Sequence, residues 1–498
     1  MATPKPVLVS LLFYIGTLSA TQTIYGINLL SLRWVALGTL TLVSFVYWLL
    51  GRTIKRGSAD RRGDPLIVFI YLGATLLSVA TAENFEFSGL RWLTQGMLIL
   101  NCMVFLKGSF NGERIGDLLL PLKVITLTLL ILSYFFPAAE SVYDSPYFRG
   151  AMGDSNSLGH ISAICALVYL QGAIADRSKN WRLIQFAIAV FGAATLIHTG
   201  ARSSMAAFVV GLVLINFQFG IFRSLLSKAA MFLLAAVISG SPMLQTKTIE
   251  FIAKEERRKD AFSQITAIGI FFEKGILTSS ILGTRERLWS EAWEGFIRRP
   301  FLGWGFGANA DIHKEWSIAP TAIGILRDIT NDLLFTLEGC GLVGLIAYVG
   351  LILSILGQYP TRQQLLLIRK NLRRESLFVS RPLNIYSVNS KKRRPSRQEL
   401  DGPPKNENAK MLEDFTLSRA QIQSQMYTLS TSLLVLFLFD GSAFSAGSLV
   451  SAIFWISAGA ANLVRMEFVA NERMNHRIIG KGLKGSRVQG RRDAKDDD

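Results

Sequence analysis

Cysteine is nearly missing from this chain. Its 498 residues hold three, Cys102, Cys165 and Cys340, all inside apolar runs and none in a Cys-x-x-Cys spacing. This pattern excludes a disulfide framework and a zinc site and leaves three small buried side chains. Charge is scarce too: 18% of residues are Asp, Glu, Lys or Arg, against about 25% in an average soluble domain, which argues against a single soluble globule. Histidine is limited to His160, His198, His313 and His476. The long polar segment 246–332 has neither an Asp-x-Asp pair nor a histidine cluster, so the sequence implies no metal and no cofactor. No internal repeat stands out, which disfavours an inverted-repeat transporter. Acidic residues are the scarcer charge, 36 against 53 Lys and Arg, a net of +17. In a soluble protein such a balance would point to nucleic acid. The 32 Phe, the 9 Trp and the long apolar runs compete with that reading, so the position of the charge decides.

A hydrocarbon core about 30 Å thick needs roughly 20 apolar residues per helix. Twelve segments qualify: 7–26, 30–50, 66–82, 89–107, 118–136, 157–175, 183–200, 203–220, 227–245, 333–357, 426–442 and 444–464. The expected fold is all-α, a polytopic integral membrane protein of about 12 transmembrane helices with a large helical outer loop between spans 9 and 10. Only Lys5 precedes the first run and a second follows closely, which favours a retained helix over a cleaved signal peptide. Twelve spans put both termini on one side. Residues 51–65 carry a net +3, 358–424 a net +8 and 465–498 a net +3, all on one face, which the positive-inside rule makes cytoplasmic. On the other face, 137–156 is acidic and 246–332 balances 12 basic with 12 acidic residues.

The domains read as 1–245, spans 1 to 9; 246–332, an extracytoplasmic loop; 333–357, span 10; 358–424, a basic cytoplasmic loop; 425–464, spans 11 and 12; and 465–498, a basic tail. The 358–424 loop holds Lys391-Lys392-Arg393-Arg394, Pro395 and Pro403-Pro404, with few aromatics, so it reads as disordered apart from an amphipathic stretch at 365–377. Its basic residues suit anionic lipid headgroups, at about 1 kcal/mol per residue near the surface. A specific protein or polyanion partner is the alternative.

The outer face carries the residues that suit chemistry. Arg202 lies in the tight connection Ile197-His198-Thr199-Gly200-Ala201-Arg202-Ser203-Ser204. An arginine there is either a snorkelling interfacial side chain or a ligand for an anion. Gly283-Thr284-Arg285-Glu286-Arg287-Leu288-Trp289 opens a helix to Ile297, with Leu288, Ala292 and Phe296, and on an adjacent strip Trp289 and Trp293, forming one apolar face. Arg285 and Arg287 stand in its first turn, where unpaired backbone N–H groups favour an anion. Guanidinium groups grip phosphate oxygens in pairs, so these two with Arg202 make a pyrophosphate clamp. The rival reading is an amphipathic helix on the outer leaflet with its arginines at the headgroups.

Next comes Arg299-Pro300-Phe301-Leu302-Gly303-Trp304-Gly305-Phe306-Gly307. Ala308 stands where a dinucleotide fingerprint needs its last glycine and no strand precedes it, so Gly303 and Gly305 read as a tight turn that lets backbone approach the site. Asn331 and Asp332 open the tenth span, as a helix cap or as site residues. Glu338 follows, roughly 10 Å farther along a regular helix, and puts an acid inside the membrane.

This order of features resembles the O-antigen ligase and O-antigen polymerase superfamily of bacterial envelope proteins, over residues 145–357. Arg149 to Gly159, with Asp154 and Asn156, looks like the family's Gly-rich segment before a span. Ala201-Arg202-Ser203-Ser204 looks like its Ser-Arg element with Ala201 in place of Ser. Arg285 with Trp289 looks like its Arg-x-x-x-Trp element, and Pro300 to Gly305 like its Pro-x-x-Gly-x-Gly turn. Thr330-Asn331 with Leu334, Glu338 and Gly339 looks like its His-Asn element, with Thr330 where His would stand.

The resemblance implies an inverting, metal-independent glycosyltransferase of the bacterial inner membrane. It takes glycan from an undecaprenyl-diphosphate-linked donor at the outer face, with lipid A core (ligase) or a second lipid-linked glycan (polymerase) as acceptor and a chain-length regulator as a partner of the latter. The expected catalytic residues are Arg202, Arg285, Asn331 and Glu338; Arg287, Asp154, Asn156, Trp289, Gly303, Gly305 and His313 would bind substrate. Threonine cannot replace histidine as a base, so His313, His198, Asp332 or Glu338 remain for that role. The competing function class is a flippase or transporter of lipid-linked glycans. That reading predicts charges lining a path through the spans, where the conspicuous ones are Arg33, Lys123 and Glu338.

Overall fold

The computed structural model describes residues 5–23, 30–54, 64–105, 116–135, 148, 150–152, 155–176, 178–219, 283–307, 331–360, 362, 364–366, 368–369, 405–440 and 448–463. Among them all regular structure is helical: α1 (Lys5–Thr23), α2 (Leu30–Ile54), α3 (Asp64–Ala80), α4 (Phe85–Leu100), α5 (Gly116–Phe135), α6 (Ser155–Ala175), α7 (Lys179–Thr199), α8 (Arg202–Phe219), α9 (Gly283–Arg298), α10 (Asp332–Leu356), α11 (Lys405–Asp440) and α12 (Leu449–Leu463). A π-helical turn, Asn101–Phe105, extends α4. Five helical segments are long and apolar enough to cross a membrane: Leu32–Leu50, Ser155–Ala175, Lys179–Thr199, Arg202–Phe219 and Asp332–Leu356. The expected span 227–245 lies outside the described residues.

Bilayer and helices are equally apolar, so packing here depends on close backbone approach at small residues. The centre is α6, buried along most of its length and flanked by α5, α7, α8 and α11. A Cβ added at Gly192 of α7 would lie 3.0 Å from the Ala166 backbone nitrogen of α6. On the other flank α3 packs along α10 and α1 along α2. Apolar side chains left exposed on the outer surface of the bundle, such as Leu42 and Leu353, suit lipid rather than water.

The segment around the start of α11 adds order to what composition suggests. The helix preceding the eleventh apolar run begins at Lys405, so residues 405–424 are ordered where the loop reads as disordered. Where this helix enters the bundle, at residues 423–428, it meets a polar seam that composition does not announce. The Gln218 carboxamide oxygen accepts from Ser424 and Thr428 of α11, and Gln364 donates to Gln423 at 2.7 Å. Arg369 donates to the carbonyls of Phe217 and Gln218 at the end of α8, where the helix dipole favours a cation.

Candidate active site

The N-terminal half of α10 is not a plain span. Asn331 caps it, its side-chain oxygen accepting from the N–H groups of Leu333 and Leu334 at 2.9 and 3.1 Å. Two turns later the helix breaks at Gly341, with φ 63° and ψ −164°. In an unbroken helix the Leu342 N–H would bond the Glu338 carbonyl and the Val343 N–H the Gly339 carbonyl. Here all four groups turn instead to the segment after α9. Leu342 donates to Pro300 and Val343 to Phe301, while Trp304 and Gly305 donate to Glu338 and Gly339. The 300–305 turn is therefore spliced into the two missing helical bonds, and the polar backbone that the break frees stays paired.

Glycine is needed on both sides of this splice. Gly303 has φ +69°, and a Cβ on it would lie 2.4 Å from the Gly339 carbonyl oxygen; Gly341 has φ +63°, and a Cβ there would lie 2.3 Å from Phe301 backbone atoms. Both clashes are with backbone, which cannot rotate away.

Trp304 joins the turn to its neighbours. Its indole Nε1–H donates to the Gly295 carbonyl of α9 at 2.8 Å, and the Arg299 guanidinium lies 3.9 Å above its ring. Arg299 in turn meets Glu83 at 2.9 Å and the Thr81 carbonyl at 3.3 Å. Ser88 and Arg91 of α4 donate to the carbonyls of Phe306 and Gly307, each at 2.9 Å. The α3–α4 connection thus backs the turn, with Gly305 seated against Ala82. Thr81, Glu83, Ser88 and Arg91 were not among the expected site residues, because each meets its partner across more than two hundred residues of sequence. The one local signal is a tryptophan between two glycines.

Glu338 is fully buried. A Cβ added at Gly295 would lie 2.4 Å from its Oε1, so the carboxylate rests on the α9 backbone. Trp289 of α9 is half-buried against the core and Ala292 fully buried. Trp293, expected on the packed strip, is instead 50% exposed, because α9 turns only its 292, 295, 296 and 289 side fully toward α10. Arg285 and Arg287 stand in the first turns of α9; their side chains, like Asp154, His313 and Thr330, lie outside the described residues.

Arg202 and Asn156 form a second group. Gly200 ends α7 in the left-handed conformation and α8 begins at once with Arg202, exposed at its N-terminus. Ser155 and Asn156 open α6 beside it. The Gly159 Cβ position lies 2.3 Å from the Ala201 side chain, so two small residues let the start of α6 meet the α7–α8 connection. His198 packs its ring 5.6 Å from Phe148, and its carbonyl accepts from the Phe148 N–H. The structure thus brings Trp289, Gly303, Gly305, Asn331 and Glu338 into one unit and sets Arg202 with Asn156 in another, joined through the common helical core.

Residues 187–349 match the family model of the O-antigen ligase domain. The matched stretch runs from α7 into α10 and takes in Arg202, α9, the glycine turn, Asn331 and Glu338, so it supports the O-antigen ligase and polymerase superfamily. No curated protein matches the chain.

Proposed function

We propose that this membrane-embedded protein is an O-antigen ligase or polymerase-like glycosyltransferase, which transfers or polymerises glycan from an undecaprenyl-diphosphate-linked donor at the outer face of the bacterial cytoplasmic membrane. The observation that carries the reading is the splice. It ties the arginine-bearing helix α9, the glycine turn and the buried acid Glu338 into one rigid piece, inside a stretch that matches the ligase family. Transfer catalysts gain most from groups held in place before charge develops.

In this reaction an acceptor hydroxyl oxygen attacks the anomeric carbon, the bond from that carbon to the diphosphate oxygen breaks, and the diphosphate leaves with the electron pair. Inversion follows from attack opposite the leaving group. Arg202, Arg285 and Arg287 are the groups suited to the departing charge, since guanidinium stays protonated and binds phosphate oxygens in pairs. Of the candidates for a base, Glu338 is the one we assign to take the hydroxyl proton. Asn331 commits its oxygen to the α10 cap and leaves its amide nitrogen as a donor to substrate. The proposed step is written without a metal, and its partners are the lipid-diphosphate glycan and a glycan or lipid A core acceptor. The test uses the purified chain in lipid with a lipid-diphosphate glycan: longer or transferred chains with released lipid diphosphate support the reading, and movement of the donor across the bilayer without either product overturns it in favour of a flippase.

A further inference from the structure

Among the described residues, nothing covers the exposed flank of α9. Around its axis, Ala292 and Gly295 face α10 and are buried, while Ser290, Glu294 and Arg298 are exposed on the polar side. Between these faces lie Trp293, 50% exposed, and Ile297, 59% exposed, with Phe301, 69% exposed, immediately beyond the helix end. The spacing of four puts the first two on one line along the helix. Phe301 sits at the α10 break, its carbonyl accepting from Val343. There the strip runs on into Leu342, Val343 and Ile346, the exposed apolar side of a membrane-spanning helix.

We infer that α9 is an interfacial helix, with Trp293, Ile297 and Phe301 seated in the acyl boundary of the outer leaflet. The occupant of this strip is bilayer lipid. Continuity with the lipid side of α10 is what selects it, because one unbroken apolar surface that begins in the hydrocarbon core cannot stop at water without leaving large side chains exposed. The composition agrees. A flank of Trp, Ile and Phe beside a charged face, on a helix of low overall hydrophobicity, is the pattern of helices that lie in the membrane plane, and tryptophan favours the headgroup level. The consequence for the proposed function, on which only the choice of leaflet rests, is that α9 holds its arginine-bearing first turns at the depth of lipid phosphates. A lipid-linked diphosphate then meets them without leaving the bilayer surface.

The experiment labels the full chain with a nitroxide at single introduced cysteines, Trp293→Cys, Ile297→Cys and Phe301→Cys, in vesicles of phosphatidylethanolamine and phosphatidylglycerol. The three native cysteines are buried, so labelling is confined to the new sites. Glu294→Cys and Ile346→Cys serve as the water-facing and lipid-facing references. At the three strip positions, collisions with dissolved oxygen should exceed those with a water-soluble nickel chelate severalfold, as at 346, and the ratio should invert at 294. Nickel collisions at the strip equal to those at 294 overturn the inference, as does exclusion of both reagents, which would mean a protein partner or second copy on the strip. Three positions keep the result readable if one variant misfolds. No donor is needed, so an inactive protein with a lipid-seated strip refutes the transferase alone, and an active protein with a wet strip refutes the seating alone.

Discussion

The backbone N–H of Trp304 donates to the carbonyl of Glu338 at 3.1 Å, the carbonyl that a continuous α10 would have used for Leu342. One residue of a loop thereby replaces one residue of a helix. The same tryptophan reaches α9 through its indole, so one residue links the backbone of the buried acid to the helix on which its carboxylate rests.

Adding a methyl group at either end of the splice should undo it. Gly303→Ala and Gly341→Ala each force a side chain into a positive-φ conformation, at about 1 to 3 kcal/mol, and into backbone 2.3 to 2.4 Å away. Thermal unfolding in detergent should show a clear loss of stability, with transfer activity lost as well; unchanged melting in both variants would refute the splice.

Trp304→Phe keeps the ring over which Arg299 lies and deletes the donor to Gly295. Loss of one half-buried hydrogen bond should cost about 1 kcal/mol. Because α9 loses a fixed point while its helix remains, turnover should fall several-fold with little change in donor KM.

The Arg299–Glu83 pair is half-exposed, so breaking it should change stability by about 1 kcal/mol or less. Its role is to hold the turn against the α3–α4 connection. Glu83→Arg and Arg299→Glu should each reduce transfer, and the double reversal should restore part of it, since the pair returns but the guanidinium over Trp304 and its bond to the Thr81 carbonyl do not; a double variant no better than the worse single would mean the pair holds nothing.

Arg202→Ala and Arg285→Ala should each lower transfer by on the order of 100-fold, the scale seen when a preorganised donor to developing negative charge is removed. Lysine at either site should restore part of it, since it keeps the charge and loses the paired grip. Full activity in both alanine variants, with the protein inserted, would remove these arginines from the clamp.

Asn331 separates a cap from a catalyst. Asn331→Ala should cost about 1 kcal/mol through the lost cap. Asn331→Asp keeps an acceptor for Leu333 and Leu334, so stability should return while transfer stays low, because the amide donor is gone. Recovery of transfer with the aspartate would leave Asn331 as a cap alone.

Much of the architecture was legible before the structure. Apolar runs lie on most of the observed helices, and Pro300 to Gly305 read as a tight turn made for close backbone approach, and its backbone does meet that of α10. The break at Gly341 was not legible. Glu338-Gly339-Cys340-Gly341 sits in a run apolar enough to read as one span, and glycine is tolerated in membrane helices. Nor was the order from Lys405 legible, because a polar seam of Gln218, Gln364, Gln423 and Ser424 looks like ordinary loop composition until its members meet.

By itself the sequence determined what depends on neighbours along the chain: which segments are apolar enough to leave water, where a helix is capped, which turn needs glycine, and which face gathers positive charge. Only the tertiary structure decided that the bonds missing from α10 are supplied by residues 300–305, and that Glu338 rests on Gly295, whose carbonyl the Trp304 indole also meets. The reason is physical. Hydropathy and backbone preference are properties of a residue and its neighbours, whereas a hydrogen bond freed by a broken helix can be satisfied by any backbone that reaches it, and that reach exists only after the helices have packed.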